Sequence, residues 1–526
     1  MIYVIGSGPS GIAATSALLE GGHDVTILDY GLELEEEKKE INQKLQRLPP
    51  DQWPSKMIDQ LKGMMASSRH GVRFKKSYGS DFVFRDATFV ENQPRRTDAK
   101  PTLAKGGFSN VWGSVVLPFL DHDMTDWPVK QSDFNDHYKA IASLIGLSGV
   151  RDGLERLFPF HAPPSEPLKL SSQAKKVLAR MEANRKTIEG AGFVFGRPRL
   201  AVRSESSPAG PGCVACGLCL YGCPHELIYN TAFALKKFKD NPRFHYRPDV
   251  YVERVAENSG GVEITATDIR TKGRISFKGD RVYLGAGVLS STRILLTSLD
   301  AYDAEISIKD SQYFILPFLF REGTRNVQKE SLHTLCQLLL ELIDDSLTRN
   351  TINLQLYTYN DLYSNVVRNM LRPFTALFDP FISVLLGRLM VFQGFLHSND
   401  SSIMKAKLEK SGDTTRLVLD ASENSATRPL IRALVKKMNT LSRELGGWVL
   451  SPLVTVAVPG EGNHYGSSFP MSRSPGQYQT DLLGRPHGLK KIHVIDASVL
   501  PSIPATSVTF TIMANAHRIA AHEPEF

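Results

Sequence analysis

An α/β fold, α+β over its whole length, is predicted by three local patterns. First, Ile2 to Ile5 reads as a short strand, followed by Gly6-Ser7-Gly8-Pro9-Ser10-Gly11, an Ala-rich helical stretch from Ile12 to Glu20, Gly21-Gly22, a second strand Val25 to Leu28, and Asp29. Second, Lys491 to Ser498 reads as a strand ending on an acid, Asp496, and Thr511 to Ala521 as a helix. Third, residues 351 to 359 and 415 to 420 show period-two alternation or β-branched runs, the pattern of half-buried strands.

The first pattern carries chemistry because strand, glycine turn, helix, strand and acid together form a dinucleotide-binding fingerprint. Gly6 permits the tight turn, Gly8 lets the backbone approach a pyrophosphate, and Gly11 lets helix and strand pack closely. The helix N-terminus offers unpaired N–H groups to phosphate. Asp29 stands where an adenosine ribose would donate hydrogen bonds to it. NAD and FAD are not separated by this segment.

Elsewhere, residues 35 to 47 and 431 to 445 read as polar or amphipathic helices, and the charge run Glu35 to Glu40 as a solvated helix face. With 526 residues, 42% apolar and 22% charged, the chain is long enough for two or three domains. The net charge of +7 is dilute. Its basic pairs (Lys75-Lys76, Arg95-Arg96, Lys436-Lys437, Lys490-Lys491) are scattered, which argues against nucleic acid as a partner. Four of the five cysteines fall within eleven positions, unlike the spread framework of a disulfide-rich secreted protein. The chain opens directly on a strand, with no signal-peptide pattern, so a cytoplasmic location is expected unless a leader was removed.

The C-terminal strand and helix resemble the last segment of the glucose-methanol-choline (GMC) family of FAD-dependent oxidoreductases: strand, Asp496-Ala497-Ser498, a Pro-containing turn, then Thr511-Ile512-Met513-Ala514-Asn515-Ala516-His517-Arg518-Ile519-Ala520. Gly106-Gly107-Phe108-Ser109-Asn110-Val111-Trp112-Gly113 resembles the family's flavin loop, and Asp126-Trp127-Pro128-Val129 through Tyr138 the opening of its substrate domain. Leu284-Gly285-Ala286-Gly287-Val288-Leu289-Ser290-Ser291 is similar to its second signature, and His464-Tyr465-Gly466-Ser467-Ser468-Phe469-Pro470-Met471 to its catalytic histidine loop. The resemblance runs from residue 2 to residue 521 and is weakest between 300 and 450.

The resemblance implies a Rossmann-like FAD-binding domain assembled from 1–130, 205–300 and 448–526, and a substrate-binding domain from 131–204 and 301–447 built on an antiparallel sheet plus helices. FAD would be held by Gly6, Gly8, Gly11, Asp29, Gly106, Gly107, Ser109, Asn110, Trp112, Val252, Ala286, Asp496 and Ala497. Trp112 stands where many members have Asn; stacking on flavin or substrate and a core position behind the loop are both open. His464 would take the alcohol proton, a task suited to its near-neutral pKa. Ser507 stands where the family has a second His or Asn, so that role falls to Ser507 or passes to Thr506 or Asn463.

Cys213, Cys216, Cys219 and Cys223, followed by Pro224, form a CxxCxxCxxxCP run of the kind that holds iron–sulfur clusters in bacterial ferredoxins. Some sugar dehydrogenases of the same family carry a three-iron cluster on spacings matching Cys213, Cys219 and Cys223; Cys216 would then favour a [4Fe-4S] over a [3Fe-4S] cluster. Zinc, or no metal at all, stays open. Cys336, within the apolar stretch Leu335 to Leu340, reads as a core thiol.

The apolar segment 366–396 is interrupted by Arg368, Arg372, Asp379, Arg388 and two prolines, which excludes a membrane span. It leaves core packing or peripheral contact, the latter at the inner membrane face. The function expected is dehydrogenation of an alcohol, on a free or lipid-linked sugar or polyol, by hydride transfer to flavin N5, with electrons leaving through the cluster to a cytochrome, quinone or redox protein. An oxygen-using oxidase with structural cysteines, and an epimerase or isomerase that cycles electrons internally, remain as alternatives.

Overall fold

A computed structural model describes residues 1–63, 77–92, 96–208, 210–302, 304–362, 364–365, 375–411 and 414–522. Ile2–Ile5 and Val25–Leu28 are strands with the bounds expected, and they lie side by side in a parallel five-stranded sheet. Its order is Ile492–Val494, Arg281–Leu284, Ile2–Ile5, Val25–Leu28, Phe244–Arg247, so both chain ends and a middle segment meet in one sheet. A parallel sheet is covered on both faces, which is why these strands read as near-continuous apolar runs. Helix Pro9–Glu20 leaves the first strand and packs against the last helix, Thr509–Ala521. A three-stranded antiparallel meander (Val250–Asn258, Gly261–Asp268, Arg274–Gly279) is inserted before the strand Arg281–Leu284.

The rest of the chain builds two further sheets. One joins Tyr465–Gly466, Glu305–Asp310, Ile403–Ser411, Thr414–Ser422 and Val90–Asn92. The other is seven-stranded and antiparallel, running Gly447–Val449, Tyr313–Phe320, Leu389–Phe395, Thr348–Tyr357, Leu338–Asp344, Phe193–Gly196, with Thr455–Val456 also on Tyr313–Phe320. One face of this sheet buries Phe314, Leu316, Leu340, Leu354, Leu356 and Phe392 against helices Ser172–Ala183 and Thr427–Thr440.

The amphipathic helix expected at 431–445 lies at Thr427–Thr440. Pro429 falls in its first turn, where a missing N–H costs nothing, so the helix starts before the apolar pattern does. The expected strand 351–359 is Thr348–Tyr357, but from Thr351 onward it is buried on both faces rather than one. The apolar segment 366–396 divides: 366–374 lies outside the described residues, Thr375–Leu386 is a helix with Phe381 and Val384 exposed, and Leu389–Phe395 is a core strand. Among the described residues no helix is long and apolar enough to cross a membrane.

Candidate active site

The glycine turn has the close approaches its spacing implies at Gly6 and Gly11 and leaves open space at Gly8. Gly6 has φ +95°, and a Cβ there would stand 2.6 Å from the carbonyl oxygen of Gly285. A Cβ on Gly11 would stand 1.9 Å from the Gly6 oxygen, so only hydrogen allows helix and turn to meet. Gly8 faces open space: a Cβ there meets nothing within 4 Å. That space is a cavity of about 340 Å³ at the C-terminal ends of the parallel strands, where doubly wound folds bind nucleotides.

Asp29 lines the cavity and is buried, so its carboxyl is pushed up, against the pull of Ser7 and Tyr246. Tyr246 donates to its Oδ2 at 2.9 Å, and Ser7 donates to the same oxygen while accepting the Gly106 N–H at 2.9 Å. The Ser7 hydroxyl thus ties the fingerprint acid to the flavin loop. On the opposite side, Asp496 accepts from Gly287 N–H at 2.9 Å, Ser291 Oγ at 2.5 Å and Ser498 N–H at 3.0 Å, which fixes the Ala286–Gly287 turn at the cavity wall.

Of the residues expected at the cofactor, Gly6, Gly8, Asp29, Gly107, Trp112, Ala286, Asp496 and Ala497 line this cavity. The others stand behind it. Gly11 is the packing contact just described, and Ser109 bonds Gly106 O at 2.6 Å and Thr231 Oγ1 at 2.9 Å. Asn110 closes the loop by donating to Lys105 O and Gly107 O, and Gly106 turns it at φ +84°. Val252 departs furthest from expectation. It is buried in the meander, with its carbonyl taken by Arg293 at 2.5 Å, because the strand that carries it faces the core. Trp112 lines the cavity and packs on the core, and its Nε1 donates to Tyr229 O at 2.8 Å.

At the other end of the same cavity stands His464. Its loop is tied to the strand Glu305–Asp310 and the residue after it: Ser311 N–H donates to His464 O at 2.8 Å, and Gly460 N–H to Asp310 Oδ2 at 3.1 Å. The imidazole stacks on Phe395, centroids 4.4 Å apart and planes at 23°. Its Nδ1 is buried without a hydrogen-bond partner, and burial pulls its pKa down to about 4, so the ring is neutral at physiological pH. Ser507 and Asn463 both line the cavity beside it; Thr506 does not, and its hydroxyl is buried without a partner.

Two further sets of residues reach the cavity that the sequence alone did not reveal. Glu461, three positions before His464, is buried there, and burial raises its carboxyl to about 7. Gln355, Tyr357, Gln393, Phe395 and Tyr313 reach the cavity wall from the seven-stranded sheet. Glu461 was legible in principle from its place in the histidine loop. The sheet residues were not, since nothing local says which face of a strand meets a cavity.

The cysteine run takes a different form. Cys213, Cys219 and Cys223 pack with Val115, Leu117 and Phe158, whereas Cys216 packs with Leu45, Trp53 and Tyr221. All are free thiols, and burial pushes Cys216 up to about 12 and Cys223 to about 11. Among the described residues no three His, Cys, Asp or Glu side chains come together as a metal site. The four thiols nonetheless lie near enough that each of Cys213, Cys216 and Cys223 is pushed up by burial and then by its cysteine neighbours, so the run is gathered in one region without forming a finished metal site. The loop does touch the flavin side: Trp112 and Cys223 line one small crevice. Cys336 is a core thiol, as expected, donating to Leu338 O at 3.2 Å.

The buried acid, the open glycine and the cavity that continues to a neutral imidazole fit a flavin dinucleotide. Comparison with known proteins agrees. Residues 417–516, which include the histidine loop and most of the last helix, match the family model of the GMC oxidoreductase C-terminal domain. No curated protein matches the sequence. Among solved structures, the pyridoxine 4-oxidase from Mesorbium loti aligns over 99% of this chain and 98% of its own, with 13% identity and a TM-score of 0.62. The formate oxidase of Aspergillus oryzae RIB40 aligns over 99% and 97%, with 12% identity and a TM-score of 0.60. At such identity the likeness is one of fold. The chain thus carries a GMC oxidoreductase C-terminal domain at residues 417–516 on a fold shared with these oxidase structures, and with the cavity this supports an FAD-dependent oxidoreductase.

Proposed function

We propose that the protein oxidises an alcohol carbon of an uncharged, hydroxyl-rich substrate, of the sugar or polyol class. The observation that carries this reading is the composition of the cavity beyond the glycine turn. A neutral histidine, three carboxamides (Gln355, Gln393, Asn463) and three phenols (Tyr313, Tyr357, Tyr465) line it with Glu461, and no Lys or Arg does so among the described residues. A carboxylate or phosphate would meet no countercharge, whereas hydroxyls would meet donors and acceptors at every side.

Bound between the glycine turn and the histidine loop, FAD would supply the two-electron acceptor for the hydride leaving the substrate carbon. The neutral imidazole of His464 takes the hydroxyl proton as the C–H bond breaks, and its stacking on Phe395 holds the ring plane while it does so. Ser507 and Asn463 are the neighbours able to hydrogen-bond the same oxygen. Tyr313, Phe395 and Trp112 give the cavity its apolar lining.

The electron exit has two readings. The solved structures of similar fold are named oxidases, which supports oxygen as acceptor with cysteines that only pack. The spacing of Cys213, Cys216, Cys219 and Cys223, and the crevice that Cys223 shares with Trp112, support single-electron exit through a cluster to a cytochrome, quinone or redox protein.

Anaerobic purification with flavin, iron and sulfide counted per chain, followed by mixing with a panel of alcohols, tests both levels. Bound FAD bleached by a neutral polyol is expected. A flavin that no alcohol bleaches would overturn the reading, while iron with equimolar sulfide would decide for the cluster, and peroxide from an iron-free protein for the oxidase.

A further inference from the structure

The strand Thr348–Tyr357 sends Ile352, Leu354 and Leu356 into the sheet's apolar core, so its odd positions Thr351, Asn353, Gln355 and Tyr357 share the other face. That face is also buried. Three hydrogen bonds run along it in a single sense. Tyr357 donates its hydroxyl to Gln355 Oε1 at 3.3 Å, Gln355 donates Nε2 to Asn353 Oδ1 at 3.1 Å, and Asn353 donates Nδ2 to Glu341 Oε1 at 2.5 Å. Glu341 is the cross-strand partner of Asn353 on Leu338–Asp344. Tyr357 and Gln355 line the active cavity; Asn353 and Glu341 lie wholly buried behind it.

Glu341 is an expensive residue in this place. Its Oε2 is buried with no partner, and burial, with Asp123 nearby, holds the carboxyl well above the ordinary carboxylate range, so it is an uncharged acid. A leucine would pack without either cost. Such conflicts between local stability and sequence are carried where a site needs them. The Asn353 and Gln355 amides do not pass protons on, so the ladder orients groups rather than relaying charge.

We propose that Glu341 is a positioning residue for substrate binding. As the terminal acceptor of the ladder it directs every donor towards itself, which commits the Tyr357 proton to Gln355 and turns the Tyr357 oxygen into an acceptor at the cavity wall. The wall then selects substrates that donate a second hydroxyl at Tyr357, away from the one oxidised: polyols rather than simple alcohols. This rests on the alcohol-oxidising reading above and adds to it which side of the cavity reads the second hydroxyl.

The test uses the FAD-loaded protein titrated anaerobically with glycerol, D-glucose, myo-inositol and 1-propanol, following the bound-flavin difference spectrum for affinity and its bleaching for rate. Tyr357→Phe and Glu341→Leu are expected to weaken saturable polyol binding about tenfold, the loss of one hydrogen bond to a substrate donor. The limiting bleaching rate and the response to 1-propanol should change much less. Glu341→Gln, which still offers an oxygen to Asn353, should restore wild-type affinity, and the double variant Glu341→Leu with Tyr357→Phe should be no weaker than Tyr357→Phe alone. Additive losses in the double variant, or an equal loss for 1-propanol, would make Glu341 merely structural and overturn the proposal. Should Glu341→Leu fail to fold, unchanged polyol affinity in Tyr357→Phe overturns it alone. A wild-type protein that holds FAD and is bleached by 1-propanol, yet shows no preference for polyols, sinks this proposal and leaves the alcohol-oxidising reading intact; FAD that no alcohol bleaches sinks the latter.

Discussion

The glycine turn and the cysteine run are both short, closely spaced motifs, yet one folds into a ligand-ready surface and the other into apolar packing. The glycine turn is a property of the backbone: Gly6 and Gly11 allow a close approach that the chain completes by itself. The cysteine run is a property of charge. Thiolates are needed to hold metal, but burial favours the protonated thiols, and protonated thiols gain nothing by converging on one point. They settle instead as small hydrophobic groups in two separate clusters. Backbone-encoded sites are thus complete in the folded chain, whereas a ligand-held site is completed only with its ligand.

The contrast between two glycines of one turn gives the largest effect. Gly11→Ala places a methyl 1.9 Å from the Gly6 oxygen and must push helix and strand apart, so little or no flavin-loaded protein is expected. Gly8→Ala meets nothing in the protein and should melt within about 1 kcal/mol of wild type, yet hold FAD more weakly because its methyl occupies the cavity. Flavin content and thermal melting of the two variants check this; equal losses of stability would break the account of the turn.

His464→Ala comes next. It should retain FAD and slow substrate bleaching of the flavin about a hundred- to ten-thousand-fold, the range of a lost general base. The wild-type pH profile carries the sharper prediction. Because burial depresses the imidazole pKa to about 4, the base form persists well below the ordinary 6.5 and is lost only as pH falls through about 4. An acid limb centred near 6.5 in stopped-flow reduction would show a solvated histidine instead.

Glu461 should give a smaller effect of opposite sense. Its carboxyl, raised by burial to about 7, is largely uncharged below that pH and a carboxylate above it. A negative charge in the cavity opposes the negative charge that arrives with a hydride, so bleaching should slow a few-fold as pH rises through about 7. Glu461→Gln should flatten that limb, and a limb that survives the substitution would assign it elsewhere.

How much of this was legible follows the same division. The strands Ile2–Ile5 and Val25–Leu28, the turn between them and Asp29 were readable because adjacent residues define their geometry, whereas His464 was named only through the resemblance of its loop. The wall of Gln355, Tyr357 and Gln393 was not. Alternation in 351–359 reads as a strand with its polar face in water, yet that face is buried and Gln355 and Tyr357 on it line the cavity. Polar residues at period two are the same in both settings; only the pairing of distant strands separates them. Val252 does not line the cavity, although its strand begins beside the fingerprint acid, with Val250 N–H donating to Asp29 O at 3.0 Å.

The smallest expected effect returns to the cysteines. Cys216 packs against Trp53 and Tyr221 although the other three thiols are near enough to act on it, and its replacement by Ala removes one sulfur from that smaller apolar cluster. If the run only packs, Cys216→Ala should cost about 1 kcal/mol in thermal melting and leave flavin content and bleaching unchanged. Cys219→Ala, in the larger cluster beneath Val115 and Leu117, should cost somewhat more with the same silence in the flavin. Should both variants instead lose bound iron together, despite lying in different apolar clusters, the thiols must converge when iron is supplied. The packing reported for them would then be one of two arrangements of a loop that metal draws together.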